Sequence, residues 1–73
     1  MDTANIVLEL SHAMEARRKT LGLSQVELAN LAEVSPRFMY VLEKGKKTMS
    51  LDKFLAVAKV LGYELELRIK QNG

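Results

Sequence analysis

The sequence predicts a mostly α domain, four helices followed by one C-terminal β-strand. Three observations carry this. Apolar residues recur at helical spacing from about residue 4 to residue 61. Gly22, Gly45 and Gly62 each fall just after such a stretch, where a helix end favours glycine. Beyond Gly62 the apolar period changes from that of a helix to strict alternation.

Length and composition bound what such a chain does. Its 73 residues make one domain at most, and 48% hydrophobic with 27% charged is a globular balance. A domain of this size buries only about 60% of its unfolded surface, so a lone core is marginal. There is no cysteine, which removes disulfides and Cys-based zinc as staples, and one histidine removes most His-based metal or triad chemistry. No apolar run reaches the ~18 residues of a membrane span, and no secretion signal is recognisable. No metal-ligand cluster, phosphate loop or nucleophile–base pair is present, so no enzyme activity and no cofactor are expected. The composition points to a small cytoplasmic binding module.

The first helix is expected from about Ala4 to Leu21, with Ile6, Leu10, Met14 and Leu21 on one side. Its beginning is open, because Ile6-Val7-Leu8 suits extended chain equally well. The second helix runs from about Gln25 to Ala32, with Leu28, Ala29 and Ala32 inward. Ser24 and Glu27 supply a capping box for it, a hydroxyl at N-cap and a carboxylate at N3. The third helix runs from Pro36 to about Lys44, capped by Ser35, with Met39 and Leu42 inward. The fourth runs from Leu51 to Leu61, with Leu51, Leu55, Ala58 and Leu61 inward. Ser50 and Asp52 offer it a cap and a first-turn acid. Phe38 and Met39 read as core, and His12 as an exposed helix residue. Residues 1–62 form the main unit and residues 63–73 a strand and tail of the same domain.

In the strand, Tyr63, Leu65, Leu67 and Ile69 point one way and Glu64, Glu66, Arg68 and Lys70 the other. It has no partner in the chain unless Ile6–Leu10 supplies one, and an open edge invites pairing. Antiparallel pairing with its own copy, centred on Leu67, sets Glu64 against Lys70 and Glu66 against Arg68. Opposite charges across a ladder contribute roughly 0.2–1 kcal/mol per pair. A homodimer with a two-stranded intersubunit ribbon is therefore expected; the alternative is an amphipathic tail that pairs with nothing.

The net charge of +2 says little about partners, but it is unevenly spread. Residues 35–48 hold Arg37, Lys44, Lys46 and Lys47 against Glu43, a local charge of +3. The first sixteen residues hold Asp2, Glu9 and Glu15 and no Lys or Arg. Two short helices joined by the tight turn Glu33-Val34 are the layout of a helix-turn-helix, whose second helix enters the DNA major groove. Ser35, Pro36, Arg37, Tyr40 and Val41 lie away from the Met39/Leu42 stripe, free to face a duplex.

Longer motifs sharpen this. Residues Arg18-Lys19-Thr20-Leu21-Gly22-Leu23-Ser24-Gln25-Val26-Glu27-Leu28-Ala29 resemble the opening of the Cro/CI-type (XRE) helix-turn-helix family. Val34-Ser35 through Leu42-Glu43-Lys44-Gly45-Lys46 resembles its recognition helix and following loop. Leu51-x-x-Phe54-Leu55-x-x-Ala58-x-x-Leu61-Gly62 resembles its next helix. Together these cover about residues 10–62. The resemblance implies a lambda-repressor-like domain. The strand in place of a further helix is similar to HipB-type antitoxins, dimers that repress their own operon and bind a HipA-type kinase toxin. One departure is Glu33, which stands where the family usually has glycine; a left-handed Glu costs on the order of 1 kcal/mol.

The resemblance also implies roles. Gln25 contacts a phosphate or an adenine edge, and Ser35, Pro36, Arg37 and Tyr40 form the base-reading face. Arg37 suits guanine O6/N7, and Pro36 offers only shape and apolar contact. Lys46, Lys47 and Thr48 hold phosphates, joined by amides at the N-terminus of the fourth helix. Arg18 and Glu43 match an internal ion pair. Arg17 and Lys19 read as solvated. The implied function is a sequence-specific repressor that binds palindromic double-stranded DNA as a homodimer in the cytoplasm, associated with the nucleoid when bound. The alternatives are a protein-interaction module that neutralises a kinase toxin, and a stand-alone XRE-type regulator.

Overall fold

The computed structural model describes residues 3–70. Asp2 of the acidic stretch and the expected tail at 71–73 lie outside them. Among the described residues there are four helices: α1 (Thr3–Thr20), α2 (Gln25–Ala32), α3 (Pro36–Glu43) and α4 (Leu51–Val60). None is long and apolar enough to cross a membrane. Helix α2 packs against both α3 and α4, and α1 packs against α3.

The ends of the helices follow local chemistry. Ser24 Oγ accepts the Glu27 N–H while Glu27 Oε1 accepts the Ser24 N–H, at 3.0 and 2.8 Å, which starts α2 with a full capping box. Those bonds, from the Ser24 backbone first and its side chain second, hold the Glu27 carboxyl below its ordinary range. Ser35 Oγ accepts the Phe38 N–H at 3.0 Å, and Pro36 occupies the first turn of α3. Ser50 behaves differently. It makes no side-chain cap bond; its hydroxyl donates to Asp52, which in turn accepts the Lys53 N–H at 3.0 Å.

All four helices stop in the same way. A residue one or two positions past the end is left-handed, its N–H bonds back three residues, and the next N–H reaches back five. At α2 these bonds are Glu33 N–H to Asn30 C=O, 3.3 Å, and Val34 N–H to Ala29 C=O, 3.0 Å. The equivalent left-handed residues after α1, α3 and α4 are Gly22, Gly45 and Gly62. Glu33 takes φ 57 and ψ 41, so the turn keeps the geometry that glycine would adopt and carries the strain of a Cβ there. At Gly45 a side chain would also meet a neighbour. A Cβ there would stand 2.6 Å from Leu8 Cδ2.

The core is Met14, Leu28, Ala29, Ala32, Met39, Leu42, Val57, Ala58 and Leu61. The inward faces of α2 and α3 are as expected, with Glu43 added on α3. Helix α1 differs from its expected stripe. Ile6, Leu10 and Leu21 are exposed, and the buried line is Ser11, Met14 and Arg18. These three share one face by helical spacing, but two are polar, so hydropathy alone misplaces the face. In helix α4 the expected Ala58 is buried, as is Leu61 just past its end, and Val57 joins them. Phe54 and Leu55 are half-buried, and Leu51 departs from expectation in being exposed. Ile6–Leu8 is helical and supplies no strand. Residues 63–70 form neither a helix nor a paired strand in the single chain. A ladder needs a second strand, and none is offered among the described residues.

Candidate nucleic-acid interface

Packing decides which residues of α3 face solvent. Its inward residues Met39 and Leu42 are fully buried under α2, so Ser35, Pro36, Arg37 and Tyr40 are turned to solvent. Lys46, Lys47 and Thr48 are exposed on the loop that follows. That loop starts from the Gly45 turn, whose Lys46 N–H bonds to Val41 C=O at 3.4 Å.

Under this face lies a buried ion pair. Arg18 Nε donates to Glu43 Oε2 at 2.6 Å and Arg18 Nη2 to Glu43 Oε1 at 3.1 Å. The carboxylate is 4% exposed. Arg18 Nη1 donates to the Leu23 carbonyl at 2.8 Å, which holds the guanidinium to the α1–α2 turn. The bond to Glu43 raises the Arg18 pKa above its ordinary range against the opposing effect of burial. The arrangement joins α1, the next turn and α3 through one fork-shaped contact.

The pair also redistributes charge. Glu43 is the sole acid in residues 35–48, and it is buried against Arg18. The cations of the segment, Arg37, Lys44, Lys46 and Lys47, are all exposed. Among the described residues none of the four enters an ion pair. The expected +3 thus presents itself to solvent as four positive groups with no carboxylate of the same segment among them.

Gln25 is half-buried at the start of α2, and its Nε2 donates to Glu43 Oε1 at 2.8 Å. Gln25, Tyr40, Glu43, Lys44 and Glu15 line one shallow polar cleft, which brings two expected base readers together. Ser35, Pro36 and Arg37 sit on the first turn of α3 and are not among its lining residues. Lys44 Nζ lies 5.3 Å from the centre of the Tyr40 ring, one helical turn on. Such a contact is worth about 0.5–1 kcal/mol at an exposed site and gives the tyrosine a fixed cationic neighbour. The sequence motifs assign Lys44 no DNA contact, although its i, i+4 spacing places it beside Tyr40. The expectation of amide donors at the start of α4 meets an obstacle. Asp52 occupies that turn and already accepts the Lys53 N–H. The Ser50 hydroxyl first, and the Lys53 N–H second, keep its carboxyl below its ordinary range and therefore charged, which disfavours a phosphate there.

Arg17 is not simply solvated. Its Nε donates to the Leu61 carbonyl at 3.0 Å, closing the C-terminal end of α4 from α1. Lys19 lies 3.4 Å from Glu15 on the surface of α1.

Residues 63–70 are all exposed. Tyr63 is held at two points, its N–H on Ala58 C=O at 2.9 Å and its hydroxyl 3.4 Å from Ala13 C=O. Leu67 and Ile69 are 94% and 90% exposed. Arg68 pairs with Glu66 of its own chain at 3.0 Å. Beside the segment runs an apolar groove lined by Leu10, Ala13, Phe54, Leu55, Tyr63 and Leu65 among others.

Comparison with known proteins agrees with this geometry. The family described as helix-turn-helix matches residues 14–68, three quarters of the chain. An uncharacterized HTH-type transcriptional regulator, y4mF, of Sinorhizobium fredii is 42% identical over 50 residues, 68% of this chain. The match spans 66% of that relative, just under two thirds of its length.

Proposed function

The chain belongs to the XRE-type helix-turn-helix family, and we propose that it is a sequence-specific, DNA-binding transcriptional repressor. The observation that carries this is the exposed cation edge of α3 and its loop, left without a carboxylate of its own segment because Glu43 is turned inward to Arg18. In this reading α3 enters the major groove. Arg37 reads a guanine, Ser35, Pro36, Tyr40 and Gln25 complete the base-reading face, and Lys46, Lys47 and Thr48 hold phosphates. Lys44 joins the phosphate set through its place beside Tyr40.

The working unit is a homodimer on a palindromic operator, one half-site per protomer. Residues 1–62 bind DNA and residues 63–73 dimerise. The uncovered Leu67 and Ile69 and the apolar groove beside Tyr63 support this, because apolar surface of that kind favours a partner. The C-terminal ending further supports a HipB-like antitoxin that autoregulates its operon and binds a HipA-like kinase toxin.

Binding titrations on operator and scrambled duplexes test the assignment. Affinity should fall steeply with salt as counterions are released. Arg37→Ala should lower discrimination by roughly 1–3 kcal/mol, and Lys47→Ala should weaken all sequences alike. Equal losses for both variants on both duplexes would sink the sorting of contacts. A pull-down without DNA, with the neighbouring gene product as bait, tests the toxin partner.

A further inference from the structure

The Gln25 side chain is held by a buried carboxylate. A surface glutamine turns freely between orientations that present its oxygen or its nitrogen. Here one orientation is chosen by the fold. Glu43, as a carboxylate, has only acceptors to offer, so the Gln25 group facing it must be the N–H side. The bond is 2.8 Å long. The carboxylate cannot swing to follow a different orientation. Oε1 also accepts from Arg18 Nη2, Oε2 accepts from Arg18 Nε, and Arg18 is itself fixed on Leu23 C=O. Glu15, Tyr40 and Lys44 line the same cleft, and among the described residues the hydrogen bond of the Gln25 amide is the one to Glu43.

We propose that Glu43 is a positioning residue for base reading: it holds Gln25 Nε2 inward, so that the amide meets DNA with Oε1 leading. This deepens the DNA-binding reading above and rests on it. An outward oxygen accepts hydrogen bonds. It is suited to the amino groups of the major groove, adenine N6 or cytosine N4. Adenine fits better, because the second N–H of Nε2 can serve its N7. Gln25 Oε1 is thereby assigned to a base amino group, while the second N–H of Nε2 stays available to N7 or to a phosphate. The buried ion pair acquires a share in specificity through a side chain in the cleft that Tyr40 also lines.

The test starts from an operator selected out of a random pool. Wild type, Glu43→Gln, Gln25→Ala and the double variant are titrated against every single base-pair change in one half-site, and their folding is checked by thermal melting. In wild type, one A·T or C·G pair should depend on Gln25, with changes there weakening binding about 10-fold. Glu43→Gln can donate as well as accept, so it releases the amide to turn. Discrimination at that pair should shrink to within about 2-fold, and the double variant should discriminate no worse than Gln25→Ala alone. A Glu43→Gln protein that is less stable but keeps wild-type discrimination overturns the positioning role while leaving DNA binding intact. So do single-variant losses that multiply in the double variant. Wild type without any sequence preference overturns both readings. If Glu43→Gln does not fold, side-chain amide NMR of the free wild-type protein decides. A Gln25 amide proton protected from exchange supports the proposal, and a rapidly exchanging, motionally averaged one overturns it.

Discussion

Two regions of this molecule are built to different degrees of completion. The α2–α3 unit is finished within one chain. Its caps are made, its core line of Leu28, Met39 and Leu42 is fully buried, and the carboxylate beneath its exposed face is matched by a guanidinium. Among the described residues no buried side-chain nitrogen or oxygen lacks a partner. The segment after Gly62 is the reverse. It presents Leu65, Leu67 and Ile69 to solvent beside an apolar groove and makes no ladder. The difference teaches where the small domain spends its few stabilising interactions. Rigidity is concentrated under the charged edge, and apolar surface is left uncovered elsewhere.

The sharpest way to break this contrast is to remove the ion pair. Glu43→Ala leaves Arg18 buried without its carboxylate and should cost about 3–5 kcal/mol, enough to unfold much of the population in a urea titration. A loss under about 1 kcal/mol would mean that the finished region does not depend on the pair. Next comes a matched pair of truncations. Leu42→Ala should destabilise by about 2–5 kcal/mol. Leu67→Ala, measured at concentrations where the chain is monomeric, should change stability by no more than about 0.5 kcal/mol. Leu67→Lys should weaken self-association in sedimentation while leaving the far-ultraviolet helix signal unchanged. Equal effects at the two leucines would erase the distinction between the regions.

A smaller, opposite effect is expected at Glu33. Replacement by glycine removes the left-handed strain and should raise stability by up to about 1 kcal/mol, a shift of roughly 4–8 °C in Tm for a domain of this size. A fall in Tm would show that the greater freedom of glycine in the unfolded chain outweighs the strain. The smallest effect is with acid. Glu27 and Asp52 have depressed pKa values in the folded chain. Their stabilisation is therefore present above the ordinary carboxylate range and is lost as pH falls through the lowered folded values. Both are exposed, so the slope is shallow, and Glu27→Gln should flatten it further in Tm measured against pH.

Much of the finished region was legible in the sequence because its determinants are local. Ser24 with Glu27, Ser35 with Pro36, and the glycines after α1, α3 and α4 act within a few residues of themselves, and they locate α2 to the residue. The turn at Glu33 was legible as a conflict, and the chain resolves it by accepting the strain. The Arg18–Glu43 contact, 25 residues apart, was reached only through family resemblance. The rest was hidden for physical reasons. The inward line of α1 contains Ser11 and Arg18, so it lacks the apolar contrast that marks a buried face. The bonds of Arg17 to Leu61 C=O and of Gln25 to Glu43 join residues 44 and 18 positions apart. No spacing rule connects such pairs, because only the packed helices bring them together. The alternation at 63–70 was legible as a pattern, but a strand is a property of two segments, and one chain holds a single such segment.

Tyr63 gives the uncovered segment a starting direction. Its N–H is tied to α4 and its hydroxyl approaches α1, so the chain does not leave the core as a tether swinging from Gly62. It leaves as a ray whose origin and bearing are set by two helices. Any assembly built through residues 63–70 would inherit that bearing twice. The distance between two copies of α3 would then be a dimension of the folded bodies, a ruler laid along the duplex, and not the reach of a flexible arm. Operators with a base pair inserted between half-sites should be measured wrongly by such a ruler, and rejected for their length with every contacted base correct.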